Sequence, residues 1–292
     1  MGQGWRAAAR GIPGYESARR LRNYAKRAKP APPEWEFVSA AWPAKREPDG
    51  TATGWDNEAV ADAYRHKWPL FVRAIDGPGP LGVAHEIPEG LSEMPRDDPL
   101  AQNIVLSFGH ALSLAAHHRD ELSVLDWGGA TGHYYELARR LVEDVRFDYH
   151  CRELPDVCAV GRELAPTVVF HEDDTCLERG YDFVLASSSL HYVQDWGGLL
   201  ERLADAAGRW LFVHRTPVVH HTPGFVVLQR AQAYGYDTEY LGWVVNRDEL
   251  LQTAAGQGFA LVREYILGLP MPIEGAPEDP IYSGLLLRRT RA

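Results

Sequence analysis

Apolar positions first recur at helical spacing over Asn57 to Ile75, where Val60, Tyr64, Trp68 and Phe71 fall on one face and Asp56 or Asn57 can cap the start. A second helix is predicted from Pro99, with Asp97 and Asp98 before it and a stripe of Leu100, Ile104, Phe108, Ala111, Leu112 and Ala115. After His117 and His118 the period changes. Short apolar runs at Leu122–Trp127, Arg146–Cys151, Thr167–Phe170, Asp182–Ala186 and Trp210–His214 read as strands. Helical patterns follow at Tyr134–Val142, Pro155–Leu164, Gly197–Ala206 and Asn246–Ala255, the last opened by Asn246 with Glu249 three residues on. Phe259–Leu267 and Ser283–Arg288 are two further strands with no helix between them, which predicts an antiparallel hairpin at the sheet edge. Strands alternating with helices imply an α/β fold with a mostly parallel sheet and helices on both faces.

Two stretches depart from this alternation. Between Phe170 and Asp182 there is hardly room for a crossover helix. Thr216 to Val245 reads as one long aromatic connection, and such connections inside compact domains usually act as lids or binding loops. Three segments are expected: a basic arm and proline linker over 1–33, an aromatic and helical extension over 34–118, and the main domain over 119–292. In the extension, Trp68 is expected to pack, and Trp42 and Trp55 are open between packing and walling a pocket.

Composition narrows the class. With 292 residues, 45% of them hydrophobic and 24% charged, the chain can bury a full core. Its net charge of −10 argues against a nucleic-acid-binding protein. The first 30 residues run the other way, with Arg6, Arg10, Arg19, Arg20, Arg22, Lys26, Arg27 and Lys29 against Glu16 alone. No apolar stretch is long enough for an integral membrane segment, so a cytoplasmic protein is expected. Cys151, Cys158 and Cys176 form neither an even disulfide framework nor a metal pair, and are expected as reduced core thiols. His220 and His221 are adjacent and have no carboxylate pair at suitable spacing, so no metal site is expected.

The most informative stretch is VLDWGGATGHYY, Val124 to Tyr135: a strand ending in Asp126, a turn punctuated by Gly128, Gly129 and Gly132, then a helix. Such a turn lets backbone approach a ligand that faces the helix amino terminus. No frame of GGATG supplies the G-x-G-x-x-G of dinucleotide sites. An acid at the strand end would repel a pyrophosphate but suits a ligand carrying an ammonium and a sulfonium.

The loop resembles motif I of the class I S-adenosylmethionine-dependent methyltransferases, with Ala130 in place of the middle glycine. Along the whole chain GWDNEAVADAYRHKWP, PLGVAHE, ASSSLHYVQDW and HRTPVV are similar to a group of bacterial putative methyltransferases linked to polysaccharide or secondary-metabolite pathways. The resemblance implies a Rossmann-like seven-stranded sheet, mostly parallel with an antiparallel last strand, and S-adenosylmethionine as cofactor. It also implies a ribose-binding acid at Glu153, an adenine-binding acid at Asp173 or Asp174, and a methyl-transfer edge at the end of the fourth strand, where Ser187 stands. His191 and His214 are the candidate bases, since an unperturbed imidazole titrates near neutrality. The expected activity is methylation of a small-molecule acceptor, most simply an oxygen of a sugar or natural-product intermediate, by a protein for which a homodimer is allowed. The rival readings are a catalytically silent methyltransferase-like module that binds a partner and, behind it, a nicotinamide-dependent enzyme.

Overall fold

Each predicted amphipathic stripe finds a face to bury in a computed structural model, which describes residues 34–43, 54–56, 58–79, 98–236 and 238–290. The basic arm expected over 1–33 lies outside the described residues. The described elements run β1 (Trp35–Ser39), α1 (Glu58–Ile75), α2 (Pro99–Ala116), β2 (Glu121–Trp127), α3 (His133–Leu141), β3 (Arg146–Arg152), α4 (Pro155–Leu164) and β4 (Val169–His171). They continue with β5 (Tyr181–Ser187), α5 (Trp196–Ala206), β6 (Ala207–Val219), β7 (Phe225–Arg230), β8 (Glu239–Asn246), α6 (Arg247–Gly256), β9 (Phe259–Ile266) and β10 (Ile281–Arg289). All belong to one unit spanning Glu34–Ala292.

The central sheet has the order β4-β3-β2-β5-β6-β10-β9. Its strands are parallel except β10, which runs antiparallel to both β6 and β9. The chain leaves β2 toward β3 and β4 on one side and returns to β5 and β6 on the other, so the strand order reverses between β2 and β5. In open α/β sheets the crevice at the carboxyl ends of such strands binds ligands. One face is covered by α1, α2 and α3 over a core that includes Phe71, Phe108, Leu112, Tyr149 and Phe212. The other is covered by α5 and α6 over Leu199, Leu203, Leu211 and Leu250. Trp68 packs against Phe71 and His133 in the first core, as its helical position predicts.

Between β4 and β5, where the sequence leaves hardly any room, a short 3₁₀ helix, Asp174–Glu178, stands in place of a crossover helix. One expectation changes. The stretch from 216 to 245 is not one loop: β6 runs past His214, and β7 and β8 form an antiparallel pair to which β1 is added. This second group joins the main sheet where Val218 and Val219 of β6 pair with Val245 and Asn246 of β8. Phe225 to Leu228 is buried throughout, so it shows none of the alternation that marks a half-exposed strand. Among the described residues no helix is long and apolar enough to cross a membrane. Cys151, Cys158 and Cys176 are free and buried.

Candidate active site

β2 delivers the glycine turn to the switch point, and close approach explains its composition. At Gly128, φ is +73° and an added Cβ would stand 2.4 Å from the Ser189 Cβ; at Gly129 it would stand 2.3 Å from the Asp126 carboxylate. Ala130 holds a left-handed φ of 52° without being glycine, and its N–H donates to Glu153 Oε1 at 3.0 Å. Gly132 starts α3 with no side-chain cap. Glu153 takes a second backbone hydrogen bond on Oε2, from the Leu154 N–H at 2.9 Å. Burial raises its carboxyl above the usual range, and the two backbone donors oppose that shift.

A cavity of about 200 Å³ opens beside this loop. Its floor is Gly128, Gly129, Ala130, Glu153, Ser187 and Ser189, and its roof includes Trp55, Val60 and Tyr64. Trp55 therefore walls a pocket, stacked on Tyr240 with ring centroids 4.2 Å apart. A second cavity of about 700 Å³ adjoins the first, and the two share Ser188, Tyr192 and Arg215 as wall. Glu34, Trp35, Gln229, Tyr234, Tyr236 and Tyr240 line the second cavity, but 34–96 and 216–245 supply only part of its wall; the rest includes Asp98, Asn103 and Ile104 at the start of α2, Leu267 to Pro272 after β9, and Tyr282 of β10. At the shared wall, Ser188 (φ 54°), just past the end of β5, and Arg215 (φ 51°), within the adjacent parallel strand β6, both hold a left-handed backbone, with the Ser188 N–H donating to the His214 carbonyl at 2.9 Å. Side chains held in that region cluster at binding and catalytic sites.

The sequence-derived residues separate into three groups. Gly128, Gly129, Glu153 and Ser187 line the first cavity. Asp126 lies behind the loop: it is fully buried and accepts a hydrogen bond from the Tyr149 hydroxyl at 2.9 Å on Oδ2, and Oδ1 has no partner. Its pKa is raised to about 7, by burial above all, against the Tyr149 hydrogen bond and with Glu153 adding repulsion. Asp173 and Asp174 lie off the cavity wall. Asp173 is exposed and its Oδ1 accepts from the Thr175 N–H. Asp174 pairs with Arg202 at 2.7 Å and with Arg152 at 2.9 Å, so it bears on the cavity only through Arg152, which lines it.

Neither candidate base reaches a cavity wall. His191 is fully buried beneath the turn that follows β5, its ring 4.0 Å from that of Tyr192. His214 is also fully buried, and burial, with the charge of Arg215 behind it, lowers its pKa well below the ordinary value. Ser107 Oγ lies 2.6 Å from the Asn103 carbonyl and 2.9 Å from His214 Nε2. A serine that donates to a carbonyl must accept from the imidazole, which leaves Nδ1 as an acceptor. That nitrogen faces Ser187 Oγ at 3.2 Å and Tyr134 Oη at 3.4 Å, and these two hydroxyls are 2.7 Å apart. The buried imidazole orients the two hydroxyls; as a store for a proton it is opposed by its surroundings.

Sequence reasoning missed Tyr134, Arg152, Tyr192 and Gln229 as wall residues. For Tyr134 a signal existed, since it stands in the first turn after the glycines. Gln229 comes to the wall on β7, which pairs with β8, and Tyr192 comes from the turn after β5; their side chains meet at 2.7 Å, Tyr192 Oη to Gln229 Oε1.

A family model described as a methyltransferase domain matches residues 101–264, more than half of the chain. Among solved structures the chain is similar to 1,6-didemethyltoxoflavin-N1-methyltransferase of Burkholderia thailandensis, with 19% identity over 64% of this chain and 79% of that one and a TM-score of 0.43. It is similar to the mitomycin 7-O-methyltransferase MmcR, with 18% identity over 81% and 74% and a TM-score of 0.39. It is also similar to the [4+2]-cyclase SpnF, with 13% identity over 83% and 99% and a TM-score of 0.47. No protein of curated function matches the sequence.

Proposed function

The chain belongs to the methyltransferase-domain family, and from that premise we propose that it moves a methyl group from S-adenosylmethionine to an oxygen of a small molecule, a sugar or natural-product intermediate. The carrying observation is the glycine cradle closed by Glu153 and opening, across Ser188, Tyr192 and Arg215, into a second and larger cavity. A Cβ at Gly128 would strike Ser189 and one at Gly129 would strike Asp126, so only glycine lets the turn sit this tightly with its backbone bare toward the cavity, and that bare backbone fits a ligand pressed against it. Gly128, Gly129 and Ala130 would hold it, with Glu153 set to accept hydrogen bonds from ribose hydroxyls. S-adenosylmethionine supplies an electrophilic methyl group, and in-line displacement asks the protein mainly for alignment. Ser187 and Tyr134, oriented by His214, supply hydroxyls at the floor. The second cavity takes the acceptor.

Calorimetric titration with S-adenosylhomocysteine tests this reading. The wild-type protein should bind, and Glu153→Ala should weaken binding at least tenfold, about 1.4 kcal/mol. A folded wild-type protein that does not bind would sink the reading. Binding without methyl transfer to any acceptor in a broad screen would favour the silent partner-binding module instead.

A further inference from the structure

Resting on the methyl-transfer reading, we propose that the second cavity takes a planar aromatic acceptor whose reacting oxygen is acidic, a phenol or an enol, and that Arg215 meets this oxygen as an oxyanion where the two cavities join.

The walls select the ring. Trp35, Tyr234, Tyr236, Tyr240 and Tyr282 line a space of about 700 Å³. Aromatic side chains favour offset or edge contacts with another ring, contributing about 0.5–1.5 kcal/mol per pair beyond the area they bury. A hydrogen-bonded chain runs along one wall. Tyr192 donates to Gln229 at 2.7 Å, and Gln229 donates to Glu34 at 3.1 Å, which gives further hydroxyls on the ring fixed partners.

The junction selects the acidity. The wall shared by the two cavities carries, among the described residues, one cation and two hydroxyls: Arg215, Ser188 and Tyr192. Arg215 is half-buried and starts from a left-handed backbone at the same level as Ser188, so its position is tied to the sheet rather than to a loose loop. A guanidinium keeps its charge and favours the ionised form of a nearby oxygen acid. A phenol or enol can be ionised by that field alone, with its proton released to solvent before transfer. An aliphatic hydroxyl is far less acidic and needs a base in contact, whereas His191 and His214 stand behind the wall, and the two carboxylates that border the second cavity are engaged elsewhere, Glu34 by Gln229 and Asp98 by the cap of α2. The acceptor's oxygen lone pair then forms the new C–O bond as the C–S bond of the sulfonium breaks. The electron pair of that bond stays on sulfur, leaving the neutral thioether of S-adenosylhomocysteine. The oxyanion meanwhile lies between two positive groups, the sulfonium and the guanidinium.

The test uses 4-nitrophenol, whose visible absorbance reports whether it is ionised, bound to the protein saturated with S-adenosylhomocysteine. Bound nitrophenol should ionise about one pH unit or more below free nitrophenol, a tenfold preference for the anion. Arg215→Gln should abolish that shift and Arg215→Lys should keep part of it. Bound nitrophenol that ionises at or above the free value would overturn the assignment, as would a shift that survives in Arg215→Gln. Displacement of nothing by nitrophenol while methyl α-glucoside binds, read by saturation-transfer NMR, would overturn it in favour of a sugar. Calorimetry with S-adenosylhomocysteine on the same samples separates the two readings. Loss of binding by the wild-type protein overturns the methyl-transfer reading and this one with it, whereas normal binding beside an unshifted nitrophenol overturns the acceptor assignment alone.

Discussion

The carboxyl of Asp126 lies in the interior with one oxygen held by Tyr149, and its pKa of about 7 makes it a proton store that the unfolded chain lacks. An unfolded aspartate releases its proton near pH 4, so between about pH 4 and pH 7 the native state binds more protons than the unfolded state. Stability contributed by this group is therefore present at low pH and lost as pH rises toward 7. In urea unfolding at pH 5, 6, 7 and 8, wild-type protein should lose stability relative to Asp126→Asn up to about pH 7, and the gap should then stay constant. A parallel pair of curves would show that Asp126 ionises normally. Beside it, Gly129→Ala drives a Cβ to 2.3 Å from the same carboxylate, so the loop must shift. The expected outcome is destabilisation by about 1–3 kcal/mol, together with loss of S-adenosylhomocysteine affinity. Unaltered affinity would mean that the turn's backbone is not the ligand's contact.

At the scale of elements, α2 ties the core to the second cavity. Asp98 caps it through Oδ1, accepting from the Leu100 and Ala101 N–H groups, and one turn on Asn103 Nδ2 donates to the Leu267 carbonyl at 3.0 Å. Asp98→Ala should cost about 1 kcal/mol of folding stability in urea titration. Since Asp98, Asn103 and Leu267 all border the second cavity, the same variant should disturb acceptor binding more than S-adenosylhomocysteine binding. Equal losses for both ligands would point to general loosening of the fold. β7 and β8 illustrate how an element escapes sequence reading. Buried Phe225–Leu228 offers no period, and the Gly, Tyr and Thr content of 234–240 imitates a loop until β1 supplies the outer strand.

For the whole molecule, the cradle draws on β2, β3 and β5 at once and its roof on α1 and Trp55, so a ligand there links parts far apart in sequence. S-adenosylhomocysteine at a hundred times its dissociation constant should stabilise the protein by about 2.7 kcal/mol, read as a higher unfolding midpoint. Glu153→Ala at the same concentration should forfeit about half of that gain or more. The sequence alone determined the alternating α/β order, the helix caps at Asp98 and Asn246 and the glycine turn, because periodicity, capping and tight turns are local properties of a few neighbouring residues. Only the tertiary structure decided that Asp126 supports the loop from behind, that Asp174 is committed to two arginines, and that His191 and His214 are shut away from the cavities. It alone brought Arg215 beside Ser188 and set Glu34 against Gln229, because burial and the register of distant strands are fixed by the packed chain and leave no mark on local spacing.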